Sequence, residues 1–400
     1  MRKKVIVVGG GAAGFFFASN CQEKNPETEV IVLEKSKSSL QKVKISGRGR
    51  CNVTNATFIP HELVKNYPRG SKELMSVFSQ FQPADTFEWF SSHNVELCIQ
   101  EDNRVFPQSN NSQTIVDCLF HTALNLGVQF YNQQIVKKIE KKEAVWIVKT
   151  QNKTFEADKI VIASGSSKTI WKILEELNHT IIKPVPSLFT FNCNDRRIKG
   201  LMGLALPCCK IKIKELNTDD IGAVLITHWG FSGPGILKLS AWKARELAEL
   251  NYCFTLKINW LDKNFNNVLE ELKAFKIQYA KMQIKMYNPY EIPKRLWIRF
   301  LETSCIKEIL NWGDINKKQL NTLASELTQA EYQITGKNTY KEEFVTAGGV
   351  DLKEIDLKTM QSKIHKGLFF AGEVINVDAV TGGYNFQNAW STAWIASEHI

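Results

Sequence analysis

A glycine-rich segment near the N-terminus has the spacing of a phosphate-binding loop. It runs Gly9-Gly10-Gly11-Ala12-Ala13-Gly14, with glycines at the first, third and sixth positions of the dinucleotide fingerprint. The first permits a tight turn, the third lets the backbone approach a pyrophosphate, and the sixth allows a helix to pack closely on a strand. A helix N-terminus that follows would present free N–H groups to the anion. The residues predicted to bind it are Gly9, Gly11, Ala12, Ala13 and Gly14.

An acidic residue follows at the position expected for a ribose partner. Glu34 comes 20 residues after Gly14 and ends the apolar run Val30-Ile31-Val32-Leu33. Its carboxylate can accept hydrogen bonds from both hydroxyls of an adenosine ribose. It would repel a 2′-phosphate, although neighbouring Lys35 leaves an opening for one. These features predict a dinucleotide site without distinguishing FAD from NAD.

Two segments near the C-terminus favour FAD. An apolar run ends in Gly372 and Glu373, and Thr381-Gly382-Gly383-Tyr384-Asn385 opens a helix. This arrangement can place a carboxylate at a ribityl chain and direct a helix N-terminus at the N1 and C2 carbonyl edge of a flavin. Reduced flavin carries negative charge at that edge, which a helix dipole and backbone N–H groups stabilise. FAD is therefore the predicted cofactor.

Two further segments could contact a substrate. The glycines of Lys44–Asn55 permit backbone approach to a flat ring and its arginines could hold an anion, although a generic anion-binding loop or a turn explains the pattern equally well. Cys51 in this segment is expected to be a packed thiol, because no second cysteine lies nearby in the sequence. Thr227–Leu237 is a glycine-rich turn leading into a helix, and its histidine has no identified partner. The catalytic residues stay unassigned, with His228, Arg48 and Tyr384 as weak candidates.

The fingerprint requires a strand on each side of its helix, and the sequence supplies both. Val5–Val8 and Val30–Leu33 are apolar runs typical of buried strands, and Ala12–Lys24 between them is compatible with a helix. Such a βαβ unit has a right-handed crossover and a parallel sheet, so the predicted fold class is α/β. Between Gln129 and Ile162, short apolar runs separated by charged turns predict an antiparallel meander that returns to this sheet.

The middle of the chain has a different pattern. After Pro184 and Pro186 the sequence alternates in period two as far as about Leu261, which predicts a β-rich insert. After Asp262, apolar spacings of three and four predict helices as far as about Gly336. The predicted order is an FAD-binding domain over residues 1–187, a β-rich insert over 188–262, a helical insert over 263–336, and the rest of the FAD-binding domain over 337–400.

Composition narrows the function classes. The 400 residues are 44% hydrophobic, and no apolar run approaches the roughly 20 residues of a membrane helix, so no membrane association is predicted. Nine cysteines without metal-ligand spacing favour a reducing cytoplasm and no metal site. The net charge is +10, and Lys273–Arg299 contains seven basic residues against one acid, with aromatic residues between them. A solvated helix face is the favoured explanation, and an RNA surface is the alternative.

Together the motifs resemble those of a bacterial family of FAD-dependent oxidoreductases that includes aminoacetone oxidase-like proteins and the flavin reductases of bile-acid dehydroxylation. The resemblance covers essentially the whole chain and implies a Rossmann-like FAD-binding domain interrupted by a β-barrel-like insert and a helical one. It departs at Arg48, where the family often carries Gly or Asn, which puts the substrate side of that loop in doubt. The motifs that carry the resemblance are Ser46–Asn55, Thr227–Pro234, Thr346–Val350, and Gly372-Glu373 with Thr381–Asn385.

The resemblance also implies which residues contact the cofactor. Those implied by analogy are Ala13, Glu34, Lys35, Glu373, Asn385 and Phe386, with Val136 on the adenine side. Gly49, Arg50, Cys51, Ser164, Gly165, Gly372, Gly383 and Tyr384 complete the predicted cofactor set.

The leading functional hypothesis is hydride exchange between flavin N5 and a small organic substrate, by amine oxidation or enone-type reduction. No second dinucleotide fingerprint is visible, so the enzyme would be either an oxidase that uses oxygen or a reductase that NAD(P)H reduces transiently. The alternatives are a flavoprotein that binds or modifies RNA through Lys273–Arg299 and a flavin-binding regulator without turnover. The substrate, the direction of the reaction and the oligomeric state remain open.

Overall fold

The structure is a computed structural model that describes residues 2–338 and 345–400. The chain divides into two compact units. The first combines the chain up to Ser187 with the C-terminal segment, and the second begins at Leu188.

The helices and strands alternate along the chain. The helices are α1 Ala12–Lys24, α2 Gln41–Gly49, α3 Pro60–Leu63, α4 Leu74–Phe78, α5 Pro83–Ser92, α6 Ser112–Asn125, α7 Lys168–Glu176, α8 Pro234–Trp242, α9 Ala244–Glu249, α10 Phe265–Gln278, α11 Lys294–Thr303, α12 Lys317–Gln329 and α13 Tyr384–Glu398. The strands are β1 Lys4–Val8, β2 Glu29–Leu33, β3 Thr54–Asn55, β4 Leu97–Ile99, β5 Arg104–Pro107, β6 Gln129–Tyr131, β7 Val136–Lys142, β8 Val145–Thr150, β9 Thr154–Ala157, β10 Lys159–Ile162, β11 Ile181–Ser187, β12 Thr190–Asn192, β13 Ala205–Ile213, β14 Thr218–Ile226, β15 Gly230–Ser232, β16 Cys253–Asn259, β17 Ala330–Asn338, β18 Val345–Val350, β19 Ile355–Asp356, β20 Gln361–Ser362 and β21 Leu368–Phe370.

The first unit is built on a seven-stranded sheet with the order β19-β20-β21-β10-β1-β2-β6. The five strands from β21 to β6 are parallel, which confirms the α/β class predicted from the sequence. Apart from the first residues of β1, β2 and β10, the strands from β21 to β2 are apolar and buried, as is typical of a parallel sheet that helices cover on both faces. Smaller sheets, β3-β5-β4, β7-β8-β9 and β11-β18, complete the unit.

Helix α1 lies at the centre of the first unit. Its residues 13–22 are all buried, so it has no polar face. Phe15 stacks on Phe130 of β6 with ring centroids 4.9 Å apart, and Phe16 lies 5.2 Å from the ring of Trp390 on α13. These aromatic contacts hold α1 between the sheet and the C-terminal helix, so the positions of the first and last helices are coupled.

The second unit is a closed barrel with the strand order β12-β15-β14-β13-β16-β17. Helices α10, α11 and α12 lie between β16 and β17 in the sequence and share one hydrophobic core with the barrel. Trp260, Phe300 and Tyr332 join the two parts, with ring centroids 6.0 Å and 6.2 Å from Trp260. The barrel and the helices therefore form one packed body.

Two expectations from the sequence are corrected. The predicted helical insert, 263–336, includes most of β17, which pairs with β16 and closes the barrel, because Ala330–Asn338 alternates buried and exposed residues. The predicted meander begins one strand later than expected, since β6 is a parallel strand beside β2 and the antiparallel strands are β7, β8 and β9. Both errors involve partners distant in sequence.

The described ranges lack both a membrane-spanning helix and a metal-binding cluster. None of the helices there combines the length and the apolar character that a membrane span requires. Within the same residues, no group of three His, Cys, Asp or Glu side chains is arranged to hold a metal ion. All nine cysteines are free thiols.

Candidate cofactor site

The glycine loop between β1 and α1 is tightly constrained at two of its glycines. A Cβ added to Gly9, whose φ is +117°, would lie 2.4 Å from the Ala163 carbonyl oxygen, and one added to Gly14 would lie 2.0 Å from the Gly9 carbonyl oxygen. At Gly11 an added Cβ meets no atom of the described part of the chain within 4 Å. The first and last glycines therefore serve close backbone packing, whereas Gly11 borders open space at the start of the helix.

Glu34 is fixed beside this loop at the end of β2. One carboxylate oxygen accepts from the Gly10 N–H at 2.8 Å and the other accepts from the Ser36 N–H at 2.8 Å. An ionised carboxylate has about four acceptor sites, so both oxygens keep capacity for further donors. Gln134 N donates to the Glu34 backbone carbonyl at 2.8 Å, which brings the segment before Val136 next to Glu34. Val136 itself is buried, with 4% of its surface exposed.

The end of β10 approaches the segment after β21. Ser164 follows β10, and its buried Oγ has no hydrogen-bond partner among the residues that the structure describes. Gly165 is left-handed, with φ +58°, and an added Cβ there would lie 3.5 Å from a carboxylate oxygen of Glu373. Glu373 accepts from the Thr346 N–H and from Lys42 Nζ, both at 3.0 Å. A buried hydroxyl without a partner carries an energetic cost, so Ser164 is well placed to donate to a ligand.

The N-terminus of α13 is held against β3. Gly383, with φ +94°, precedes the helix, and an added Cβ there would lie 2.2 Å from the Thr54 carbonyl oxygen. Buried Gln387 accepts from Thr54 Oγ1 at 2.5 Å and from Thr86 Oγ1 at 2.9 Å. Within residues 2–338 and 345–400, no side chain caps this helix end. Its first N–H groups are therefore oriented for an acceptor that is not a side chain of the cap.

The loop before β3 has an unusual backbone. Gly47, Arg48 and Gly49 are all left-handed, and they end the regular part of α2. Arg48 is exposed, and its φ of +58° is a conformation that arginine rarely adopts. The Arg50 guanidinium lies 4.1 Å from the centre of the Phe106 ring. This loop therefore presents two neighbouring cations, one stacked and one exposed.

Cys51 is buried beneath this loop. Burial raises the pKa of its thiol to about 12, against a smaller opposing effect of a hydrogen bond with Ser46. The thiol is therefore protonated at neutral pH and is a poor nucleophile. The geometry favours the packed role expected from the sequence.

Tyr384 is the first residue of α13 and connects to β3 through a chain of hydrogen bonds. Burial raises the pKa of its phenol, and a hydrogen bond with Thr57 opposes this effect. Thr57 Oγ1 donates to Asn55 Oδ1 at 2.7 Å, and Asn55 Nδ2 donates to the Gly382 carbonyl at 3.1 Å. The Tyr384 carbonyl accepts from the Tyr67 hydroxyl at 2.6 Å. Tyr384 is thus a neutral phenol in a fixed position.

Three other predicted residues have different surroundings. Asn385 uses its amide to bind backbone, since Oδ1 accepts from the Ala379 N–H at 3.0 Å and Nδ2 donates to the Ala379 carbonyl at 3.1 Å. Phe386 stacks on Trp390, with centroids 5.5 Å apart. His228 is exposed on the turn between β14 and β15 of the second unit. The first two fix the segment around α13, and His228 belongs to the other unit.

A buried ion pair that the sequence did not suggest fixes the segment before α13. Asp378 is fully buried, and both its carboxylate oxygens accept from the Arg69 guanidinium, with Nε to Oδ1 at 2.5 Å. Ser187 Oγ also donates to Asp378 at 2.7 Å. Because 309 residues separate Arg69 from Asp378 in the chain, no local pattern marks the pair.

These features together fit a bound FAD. The open space at Gly11, the buried unpartnered hydroxyl of Ser164 and the uncapped start of α13 all lie in the first unit. Glu34 keeps acceptor capacity beside the glycine loop. The donors suit a pyrophosphate and a flavin edge, and the carboxylate suits a ribose.

Comparison with known proteins places the chain in a family. The family described as "HI0933-like protein Rossmann domain" matches residues 3–399. The chain is 28% identical over 383 residues to a ribosomal RNA dihydrouridine synthase of Escherichia coli, with 93% of this chain and 92% of that protein covered. It is 24% identical over 387 residues to a 3-dehydro-bile acid delta(4,6)-reductase of Clostridium scindens, with 92% of this chain and 92% of that protein covered.

A solved structure shares the fold. The 3-ketosteroid-delta4-(5alpha)-dehydrogenase of Rhodococcus jostii, solved with 4-androstene-3,17-dione, has a TM-score of 0.52 at 12% identity and covers 99% of this chain and 97% of its own. The expected family resemblance, the fold class with its barrel, and the general class of FAD-dependent oxidoreductase are thereby confirmed. The chain belongs to the HI0933-like Rossmann-domain flavoprotein family.

Proposed function

We propose that this protein is an FAD-dependent reductase that saturates a carbon–carbon double bond conjugated to a carbonyl group, and that its substrate is a uracil ring of ribosomal RNA. The names of two relatives support the reaction class, one a dihydrouridine synthase and the other a delta(4,6)-reductase of a 3-dehydro bile acid. Both names describe addition of two hydrogens to a double bond conjugated to a ring carbonyl. The same flavin chemistry suits both.

The single observation that carries the redox assignment is the uncapped N-terminus of α13. This helix is 15 residues long and begins at Gly383, whose close approach to Thr54 fixes its direction. Its unpaired N–H groups and the positive end of its dipole would stabilise negative charge on a reduced flavin ring.

Residues of the first unit would hold the cofactor. The backbone at Gly11 and the first turn of α1 would bind the pyrophosphate, Glu34 would accept from the adenosine ribose, and Ser164 would donate to the cofactor. FAD bound in this way would supply the hydride. NAD(P)H is the reductant that we propose for it, arriving transiently.

Tyr384 would supply the proton that accompanies the hydride. Its phenol carries a proton at neutral pH, and burial, which raises its pKa, keeps it protonated. It is also the first residue of α13, at the helix end that the flavin edge would contact. The Thr57 and Asn55 hydrogen bonds would hold the phenol in place. General acid catalysis by a positioned group of this kind contributes about 10²–10⁴-fold.

The distribution of charge supports a nucleic-acid substrate. Residues 188–338 contain 22 lysines and arginines against 15 aspartates and glutamates, whereas the rest of the chain has 29 against 26. Most of the net charge of +10 therefore belongs to the second unit. A small neutral substrate would not require this excess, and an RNA phosphate chain would benefit from it.

The test is a reaction with ribosomal RNA from cells that lack the gene. Purified FAD-loaded protein is incubated anaerobically with this RNA and NADPH or NADH, and the nucleosides are analysed by mass spectrometry. We expect a uridine that gains two hydrogens, and a loss of about 10²-fold or more in rate for Tyr384→Phe. Flavin that NAD(P)H reduces without any change in uridine would refute the RNA substrate. Oxidation of amines by the same preparation would favour the oxidase alternative.

A further inference from the structure

We infer that the second unit binds RNA through a surface on its helical part, where Lys281, Lys285 and Lys294 contact backbone phosphates. This inference deepens the proposed function and rests on it for the identity of the partner. The three lysines, together with exposed Met282 and Met286, are called the lysine surface below.

The structure separates these lysines from other basic residues nearby. Four of the seven basic residues in Lys273–Arg299 have partners that explain their positions. Lys273 pairs with Glu270, and Lys276 donates to the Ile315 carbonyl. Arg295 donates to the Gly200 carbonyl. Arg299 donates to the Arg196 carbonyl and pairs with Glu302. The other three have no ion pair with any residue that the structure describes. The lysine surface is therefore the part of this stretch whose charge is not used within the fold.

The lysine surface is held rigidly by the core below it. Ile284, between Lys281 and Lys285, is fully buried, and its N–H donates to the Leu310 carbonyl at 2.9 Å. The Ile284 carbonyl accepts from Trp297 Nε1 at 3.0 Å. Because α11 begins at Lys294 and Trp297 lies in its first turn, this hydrogen bond brings the start of α11 next to the 281–285 turn. The three lysines therefore lie on two segments that are neighbours in the fold.

The apolar residues of the lysine surface are unusually exposed. Met286 is 67% exposed and Met282 is 42% exposed, and nearby Ile277 and Ile309 are 81% and 67% exposed. Unstacked RNA bases present apolar faces that suit such side chains, and lysines suit phosphates as point charges. Lysine is depleted at protein–protein interfaces. The mixture of unpaired lysines and apolar side chains therefore favours RNA over a protein partner.

The test compares two variants that change the charge equally. The first replaces the three lysines of the surface with glutamate, and the second does the same at three exposed lysines of the first unit, Lys72, Lys137 and Lys358. Binding is measured by fluorescence anisotropy with end-labelled, protein-free ribosomal RNA at several salt concentrations. Retention of the flavin absorbance band and of the wild-type Tm shows that each variant is folded.

We expect the surface variant to bind RNA at least about 10-fold more weakly at 0.1 M salt, and the control variant to change far less. The slope of log Kobs against log [salt] should fall in magnitude by about 2, because each phosphate contact to a single strand contributes about 0.7. If the glutamate variant does not fold, Lys281→Gln, Lys285→Gln and Lys294→Gln together should still lower the slope by the same amount.

Equal affinities and slopes for the surface and control variants would overturn the inference. The inference would also be overturned if the wild type bound anionic lipid vesicles, the surface variant did not, and both bound RNA with the same affinity. The proposed function can fail separately: RNA that binds through the lysine surface but gains no hydrogens would refute the reaction and support the surface. Uridine reduction that the surface variant carries out with unchanged KM would support the reaction and refute the surface.

Discussion

Gly11→Ala tests whether the glycine loop is a ligand site, because this glycine and Gly14 differ in the space around them. Gly11 has φ −97° and ψ −165°, an extended backbone that alanine adopts without strain, and an added Cβ meets nothing within 4 Å. The substitution should therefore cost the fold nothing. A Gly to Ala change at a compatible position stabilises a protein by about 0.4–1 kcal/mol, through the unfolded state.

The same methyl group should weaken FAD binding severely. The space that it fills adjoins the start of α1, where the pyrophosphate would contact the backbone. A ligand displaced from those N–H groups loses charge-assisted hydrogen bonds, which contribute about 1.5–3 kcal/mol each. Loss of one corresponds to roughly a 10- to 150-fold increase in Kd.

Gly14→Ala is the matched control. Its Cβ would lie 2.0 Å from the Gly9 carbonyl oxygen, whereas ordinary contacts begin at 3.4 Å, so α1 must move by more than an ångström. Overpacking of this kind costs about 1–3 kcal/mol. The Tm of the apoprotein is measured by circular dichroism and the Kd by quenching of FAD fluorescence. Gly11→Ala with wild-type affinity for FAD, or with a Tm as low as that of Gly14→Ala, would refute the assignment of the loop.

Three further changes test other parts of the first unit. Asp378→Asn should lower the free energy of unfolding by about 3–5 kcal/mol in urea denaturation, because it removes the buried carboxylate that pairs with the Arg69 guanidinium. An Arg69→Met/Asp378→Leu double variant that is no more stable than Asp378→Asn would contradict this. Arg48→Gly should raise the free energy of unfolding by about 1 kcal/mol, since glycine adopts φ +58° without strain. An unchanged free energy of unfolding would show that the backbone at Arg48 is not strained. Burial lowers the pKa of His179 below its usual 6.5, so the folded protein favours the neutral imidazole. The stability that the neutral imidazole contributes is complete above about pH 6.5 and is lost as the pH falls through the folded-state pKa. Between about pH 7.5 and pH 5, the urea midpoint of His179→Gln should therefore fall less steeply than that of the wild type.

The sequence was sufficient to predict the elements that local patterns define. Helix α1 begins and ends at the predicted residues, and β1 and β2 lie where their apolar runs indicated. Between β1 and β2, the strand, loop and helix patterns depend on neighbours within a few residues. Local periodicity and glycine spacing are therefore enough to specify a βαβ unit.

Pairing between distant segments could not be predicted in the same way. Strand β17 closes the barrel by pairing with β16, although three helices separate the two strands in the sequence. The residues of Ala330–Asn338 do not indicate which strand they pair with. Likewise, Arg69 and Asp378 are residue types that usually lie on the surface, and only the tertiary fold pairs them and buries the carboxylate. The sequence indicates that the glycines before α13 are important. It does not indicate that the Thr54 carbonyl leaves no room for a side chain at Gly383.

The proposed FAD site and the proposed RNA surface lie in different units, so the two hypotheses can be tested separately. The residues proposed to hold FAD all belong to the first unit, whereas residues 188–338 carry an excess of seven positive charges and the lysine surface. Substitutions at Gly11 or Ser164 should therefore change the flavin spectrum and the Kd for FAD, and leave the affinity for RNA intact. Charge changes on the lysine surface should do the reverse. A variant of the lysine surface that releases FAD would show that the two functions share residues, and this division would be wrong.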